Sequence, residues 1–180
     1  MSALVEKIYS NALFQITQED KSSDDVLNEL SSLGNIFSQN YELIKLLSAP
    51  TLNATEKQKI VSDIFKNKIS ATTFNFINVI VEKNRISYID KIIESYKELY
   101  NDYNGILEIT AITSTAMSDT LRKKLVSKLE QVSSKKITLV EKVDKDILGG
   151  IVLNYGNTQI DGSLKSKLDN LRYQIDTTIA

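Results

Sequence analysis

Leu148-Gly-Gly-Ile-Val-Leu-Asn-Tyr-Gly-Asn-Thr-Gln-Ile-Asp-Gly-Ser-Leu-Lys-Ser-Lys-Leu168 carries four of the six glycines of this chain, Gly149, Gly150, Gly156 and Gly162. A chain uses glycine where φ must be positive or where two backbones approach closely, so this density specifies a tight local structure. Between the glycines, Ile151, Leu153 and then Gln159-Ile160 read as strand. The spacing predicts a β-hairpin that closes near Tyr155-Gly156-Asn157 and leaves through Asp161-Gly162-Ser163 into a helix.

Outward from the hairpin, the final helix carries Leu164, Leu168, Leu171 and Ile175. Upstream, Leu107, Ile109, Ala111 and Thr113 alternate with Glu108 and Thr110 as a strand does. A helix from Ser118 carries Leu121, Leu125, Leu129 and Val132, and Ile137, Leu139 and Val143 mark another strand. Residues 106–180 therefore read as a small α+β unit.

Residues 1–105 read as six short helices, a compact bundle. Leu4, Val5, Ile8, Tyr9, Ala12, Leu13 and Ile16 recur at helical spacing as one apolar stripe, with Glu6, Lys7 and Asn11 off it. A second helix starts at Ser22 or Ser23, has Asp24 and Asp25 in its first turn, and buries Val26, Leu27, Leu30, Leu33 and Phe37. A third, with Leu43, Leu46 and Leu47, must stop before Pro50, the only proline. Asn53 and Glu56 are spaced as a capping box for a fourth, and Ser70 caps a fifth with Phe74, Phe76, Ile77, Ile80 and Val81. The sixth runs from Ile89 to Tyr103 and stops at Asn104-Gly105. Four of the eight tyrosines, Tyr88, Tyr96, Tyr100 and Tyr103, fall here at near-helical spacing, as packing between helices predicts. No Gly/Ser/Pro linker marks the boundary near Gly105, which leaves the sixth helix as the connector. The fold class is mainly α with a small α+β part: a six-helix bundle, then a strand-helix-hairpin-helix unit.

The chain has 180 residues, 22 basic and 23 acidic, a net charge of -1, so nothing global favours nucleic acid or an anionic membrane. It contains neither cysteine nor histidine. The usual thiolate and imidazole metal sites, the Ser-His and Cys-His nucleophiles and the common neutral-pH base are thereby excluded. No apolar run approaches the length of a membrane span, and the N-terminus has no basic region followed by a long apolar core. No metal, cofactor or catalytic residue is expected. The glycines do not end in Gly-Lys-Ser/Thr as a P-loop does, so Asp161-Gly162-Ser163 reads as a turn and helix cap rather than an anion site. Asp144, Asp146 and Asp161 lack the EF-hand continuation and read as solvated turns. Arg122-Lys123-Lys124, Lys128 and Lys135-Lys136 read as the wet face of a helix, with an acidic partner as the alternative.

These residues resemble the delta subunit of the F-type ATP synthase, the oligomycin-sensitivity-conferring protein family. Asp146-Ile-Leu-Gly-Gly-Ile-Val-Leu, Gly156-Asn and Ile160-Asp-Gly-Ser-Leu-Lys-Ser-Lys-Leu-Asp-Asn-Leu look like the family's C-terminal signature, with Gly149, Gly150, Gly156, Asp161, Gly162 and Ser163 at its centre. Tyr9-Ser-Asn-Ala-Leu-Phe14, Leu47-Ser-Ala-Pro50, Glu56-Lys57, Val81-Glu-Lys-Asn-Arg-Ile86 and Thr113-Ser-Thr-Ala116 agree in order and distance. Ser10 and Lys145 depart from the family's usual small residue and proline.

The resemblance implies a non-catalytic stator subunit. Residues 1–105 would bind the N-terminal helix of an alpha subunit between the first and fifth helices, at Tyr9, Ala12, Leu13 and Ile16 opposite Phe74, Ile77, Asn78 and Val81. Residues 106–180 would hold the b-subunit stalk. The expected location is peripheral, at the cytoplasmic face of a bacterial inner membrane, with an organellar matrix or stroma as the alternative if a transit peptide has been removed. The membrane would be reached only through the complex, and no nucleic-acid partner or obligate homo-oligomer is expected. The rival readings are a nucleotide- or anion-binding enzyme using the hairpin and a nucleic-acid-binding module.

Overall fold

The structure, a computed structural model, describes residues 2–156 and 158–179, and of residues 2, 3, 172, 173 and 175–179 it describes the backbone alone. Asn157 of the hairpin turn and the Ile175 side chain lie outside the described residues. The chain divides into two compact units, the first ending at Tyr100 and the second beginning at Asn101. The division falls inside the sixth helix rather than at Gly105, because the last turn of that helix carries exposed Asp102 and Tyr103 and adds nothing to the bundle core.

In the first unit, α1 (Ser2–Glu19), α2 (Ser23–Gln39), α3 (Tyr41–Ser48), α4 (Ala54–Phe65), α5 (Ala71–Glu82) and α6 (Ile89–Tyr103) surround one apolar core. Val26, Leu30, Leu33 and Phe37 recur along α2 at helical spacing and are all buried in it, as are Ile77, Ile80 and Val81 of α5. The Asn53–Glu56 capping box forms in both directions, at 2.9 Å each way. A 3-10 turn at Ile86–Tyr88, unmarked in the periodicity, joins α5 to α6 and buries Ile86.

Polar contacts join segments distant in sequence. The Glu29 carboxylate on α2 accepts from the Ser70 backbone amide at 2.8 Å, the Ser70 hydroxyl at 2.7 Å and the Thr73 hydroxyl, so it completes the N-terminus of α5 beyond the Ser70 cap. Lys57 is buried, and its ammonium donates to Asn84 Oδ1 at 2.7 Å. This anchors α4 to the turn after α5, where Asn84 takes a left-handed φ of 52°.

The first helix departs from its apolar pattern. Of its stripe only Leu13 is fully buried, whereas Leu4, Ile8, Ala12 and Ile16 are exposed. The inward row is Ser10, Leu13 and Thr17, and the two hydroxyls are buried because each meets a partner on α6: Ser10 Oγ lies 2.8 Å from Ser95 Oγ, and Thr17 Oγ1 lies 2.8 Å from the Tyr96 hydroxyl. Glu6, on the same row, pairs with Lys91 at 3.6 Å. Buried polar groups with satisfied hydrogen bonds are compatible with a core position. Of the four tyrosines at 88–103 only Tyr96 is fully buried, and its burial raises its hydroxyl pKa.

The second unit holds β1 (Ile106–Thr113), α7 (Asp119–Ser133), β2 (Lys136–Val143), β3 (Ile151–Tyr155), β4 (Thr158–Asp161) and α8 (Leu164–Ile179). Strand order is β2-β1-β3-β4, with β1 and β2 parallel across the α7 crossover and the other pairs antiparallel. Ile109, Ala111 and Leu139 form the buried centre, with Leu107, Ile137 and the α7 residues Leu125, Val126 and Leu129 packed on them.

Candidate functional site: a helix-docking face and a glycine clasp

On the first unit, α1 and α5 both pack against the 3-10 turn at Ile86–Tyr88, which brings their outer edges to the same region of the bundle. Lys83, the residue after α5, is held above its ordinary pKa first by its hydrogen bond to Glu82 and that carboxylate's charge, and it also lies within electrostatic range of Tyr9 on α1.

The eight residues expected to bind a helix fall into two sets. Ala12 and Ile16 are exposed, Ile16 at 49%, while Tyr9, Phe74 and Asn78 are half-buried. Leu13, Ile77 and Val81 are instead core residues, 2%, 0% and 0% exposed, and can only support such a face from beneath. They sit at the same helical spacing as their neighbours, but they point into the bundle, where apolar burial is most favourable.

Leu4 and Ile8, 66% and 56% exposed, extend the outward row of α1 at four-residue steps with Ala12 and Ile16. Four such residues on one helix edge form a surface that water solvates poorly. The spacing Ser10, Leu13, Thr17 was the available sign that the inward row lay elsewhere. Asn78 donates its amide to the Phe74 carbonyl at 3.1 Å, and its Oδ1 is buried without a hydrogen-bond partner among the described residues.

On the second unit, the glycine-rich signature forms a clasp. The Gly162 amide donates to the Ile151 carbonyl at 2.9 Å, and the Leu164 amide donates to the Gly149 carbonyl at 2.9 Å, so the start of β3 is stitched to the start of α8. Gly150 has φ +80°, and a Cβ added there would lie 2.4 Å from the Gly162 carbonyl oxygen. Gly156, at φ +51°, sits in the hairpin turn.

Asp161 Oδ1 accepts from the Ser163 amide at 2.8 Å and its Oδ2 from the Ser166 hydroxyl, while buried Ser163 caps the helix by accepting from the Ser166 amide at 3.1 Å. The amides of Ser163, Leu164 and Ser166, which an anion would need, thus already have protein acceptors, and the Asp161 carboxylate adds like-charge repulsion. Asp144 Oδ1 accepts from the Asp146 amide, which accounts for the first two aspartates as a turn. Among the described residues no group of three or more Asp and Glu side chains gathers to hold a metal, and no helix is long and apolar enough to cross a membrane.

The Ser166 hydroxyl, then the Ser163 amide, hold the Asp161 carboxyl below its ordinary pKa. A carboxylate with a depressed folded pKa contributes stability that is present in full above its unfolded value and is lost as pH falls through the folded one. The cap is therefore expected to persist across neutral pH and to weaken only in acid. A carbon-13 titration of the Asp161 carboxyl checks this: a midpoint at or above that of an unstructured aspartate would contradict the clasp.

The sequence matches the ATP synthase delta (OSCP) subunit family over residues 5–175. It is 35% identical to ATP synthase subunit delta of Clostridioides difficile, covering 100% of both chains, and 34% identical to that of Alkaliphilus metalliredigens, covering 97% of both. The fold superposes on a chain of the Toxoplasma gondii mitochondrial ATP synthase hexamer with a TM-score of 0.74 at 18% identity, covering 94% of this chain and 96% of that one. With apolar helix-docking surface and a glycine clasp in place of any catalytic constellation, the chain belongs to the ATP synthase delta (OSCP) subunit family, the non-catalytic peripheral-stalk subunits of the F-type ATP synthase.

Proposed function

We propose that this chain holds the catalytic head of the ATP synthase against rotor torque by gripping a different partner with each unit. The first unit binds the N-terminal helix of an alpha subunit along the edges of α1 and α5, and the second holds the b-subunit stalk. The observation that carries the first contact is the outward row Leu4, Ile8, Ala12 and Ile16, which the bundle itself leaves uncovered. Helix-in-groove recognition takes its affinity from such apolar anchors spaced along one face. Tyr9, Phe74 and Asn78 border that row, and Leu13, Ile77 and Val81 hold it in place from the core.

The chain reaches the membrane only through the complex, on the cytoplasmic side of a bacterial inner membrane. A peptide copying the alpha-subunit N-terminus is expected to bind the full chain in calorimetry. Ala12→Asp is expected to weaken that binding at least about tenfold, because it sets a charge among apolar anchors. Being exposed, the substitution should cost the bundle only about 0.7 kcal/mol in helix propensity. Undiminished binding by the variant would remove the α1 edge from the contact, and no binding by the parent chain would overturn the reading.

A further inference from the structure

We infer that the second unit carries a trough on the α7 side of its sheet, between α7 and β4, and that it seats one amphipathic helix whose apolar row is bordered by acidic side chains. The inference rests on the stalk-holding role proposed for this unit and gives that role a surface.

The register defines the trough. Ala111 pairs with Leu153, and Leu153 with Ile160, so these three share the sheet face on which α7 packs. The α7 helix is fastened at the β2 end of that face, by Arg122 to Glu141 at 3.1 Å and by Glu130 Oε1 accepting from the Ile137 amide at 3.4 Å. Strands lie about 4.8 Å apart and packed helices about 8–10 Å apart, so a helix over β1 and β2 leaves room beside it, over β3 and β4, for one more.

That vacant half is apolar. Ile160 is 64% exposed on β4, and the flank of α7 turned away from β2 presents Leu121 and Val132, 59% and 80% exposed. The rim is basic. Lys124 and Lys128 lie on the same flank, three and seven residues after Leu121, and neither has an ion-pair partner among the described residues. The one acidic residue of β4, Asp161, pairs with Val152 and lies on the opposite face. An uncovered apolar strip edged by unneutralised lysines complements a helix with an apolar row and carboxylates along its border, and repels one with a basic border.

The test is a titration of nitrogen-15-labelled full chain with a soluble C-terminal segment of the b subunit, followed by amide shifts. Shifts are expected at Leu121, Lys128, Val132 and Ile160. Val132→Asp is expected to weaken binding at least about tenfold. The double variant Lys124→Glu, Lys128→Glu should weaken it about fivefold at low salt and reverse its salt dependence. Both variants lie on exposed positions, and their unbound spectra report whether the fold is kept. Binding that shifts only the α8 residues Leu164, Leu168 and Leu171, or that ignores these variants, overturns the trough and leaves the stalk role standing. Failure of the segment to bind the parent chain overturns the stalk role itself.

Discussion

Gly150→Ala is expected to destabilise the second unit by about 3 kcal/mol. A left-handed backbone costs an L-residue about 1–2 kcal/mol, and overpacking adds about 1–3 kcal/mol. Both terms act here, since φ is +80° and the new Cβ would lie 2.4 Å from the Gly162 carbonyl oxygen. That oxygen belongs to backbone and cannot swing aside as a flexible side chain would. Relief requires the clasp to open, separating the Ile151 carbonyl from the Gly162 amide and the Gly149 carbonyl from the Leu164 amide. Urea unfolding followed by amide resonances of β1 and β3 measures the loss, and a change under about 1 kcal/mol would show that the close approach is not needed.

Phe37→Ala should cost the first unit about 3–5 kcal/mol, the usual range for deleting a fully buried ring. Phe37 is 0% exposed, and its ring centroid lies 5.9 Å from that of Phe65, so the substitution empties space at the contact of α2 with α4. The resonances of α2 and α4 should report the loss in urea, while those of β1 and β3 should keep their own midpoint. A shared shift of both midpoints would show that the two units unfold together.

The chain's periodicity and cap residues placed most elements. Asn53 with Glu56, Ser70 and Ser118 all cap helices in the structure, and the change of period after Gly105 marks β1. These features were legible because they depend on neighbours within four residues. The inward row of α1 was not. Ser10 and Thr17 are buried through hydroxyls on Ser95 and Tyr96, partners 85 and 79 residues away, and a local pattern carries no trace of them.

The expected docking residues show the same division. Tyr9, Ala12, Ile16, Phe74 and Asn78 reach the surface or its edge, but Leu13, Ile77 and Val81 lie inside. Composition cannot separate an apolar residue that faces the core from one that faces a partner, since the same burial energy serves both. Nor does the glycine count reveal which glycine matters most. Gly105 and Gly156 also have positive φ, but an added Cβ would meet nothing within 4 Å at either, unlike at Gly150.

The Glu29 carboxylate bears on the order in which the bundle assembles. It receives the Ser70 amide across 41 residues of chain, so the opening turn of α5 is completed by a group that α5 does not own. Closing a loop of that length carries an entropic cost that must be met before the contact stabilises anything. The start of α5 is therefore expected to become firm only as α2 docks, and the two helices to gain their final form in a single concerted step of folding rather than one upon the other.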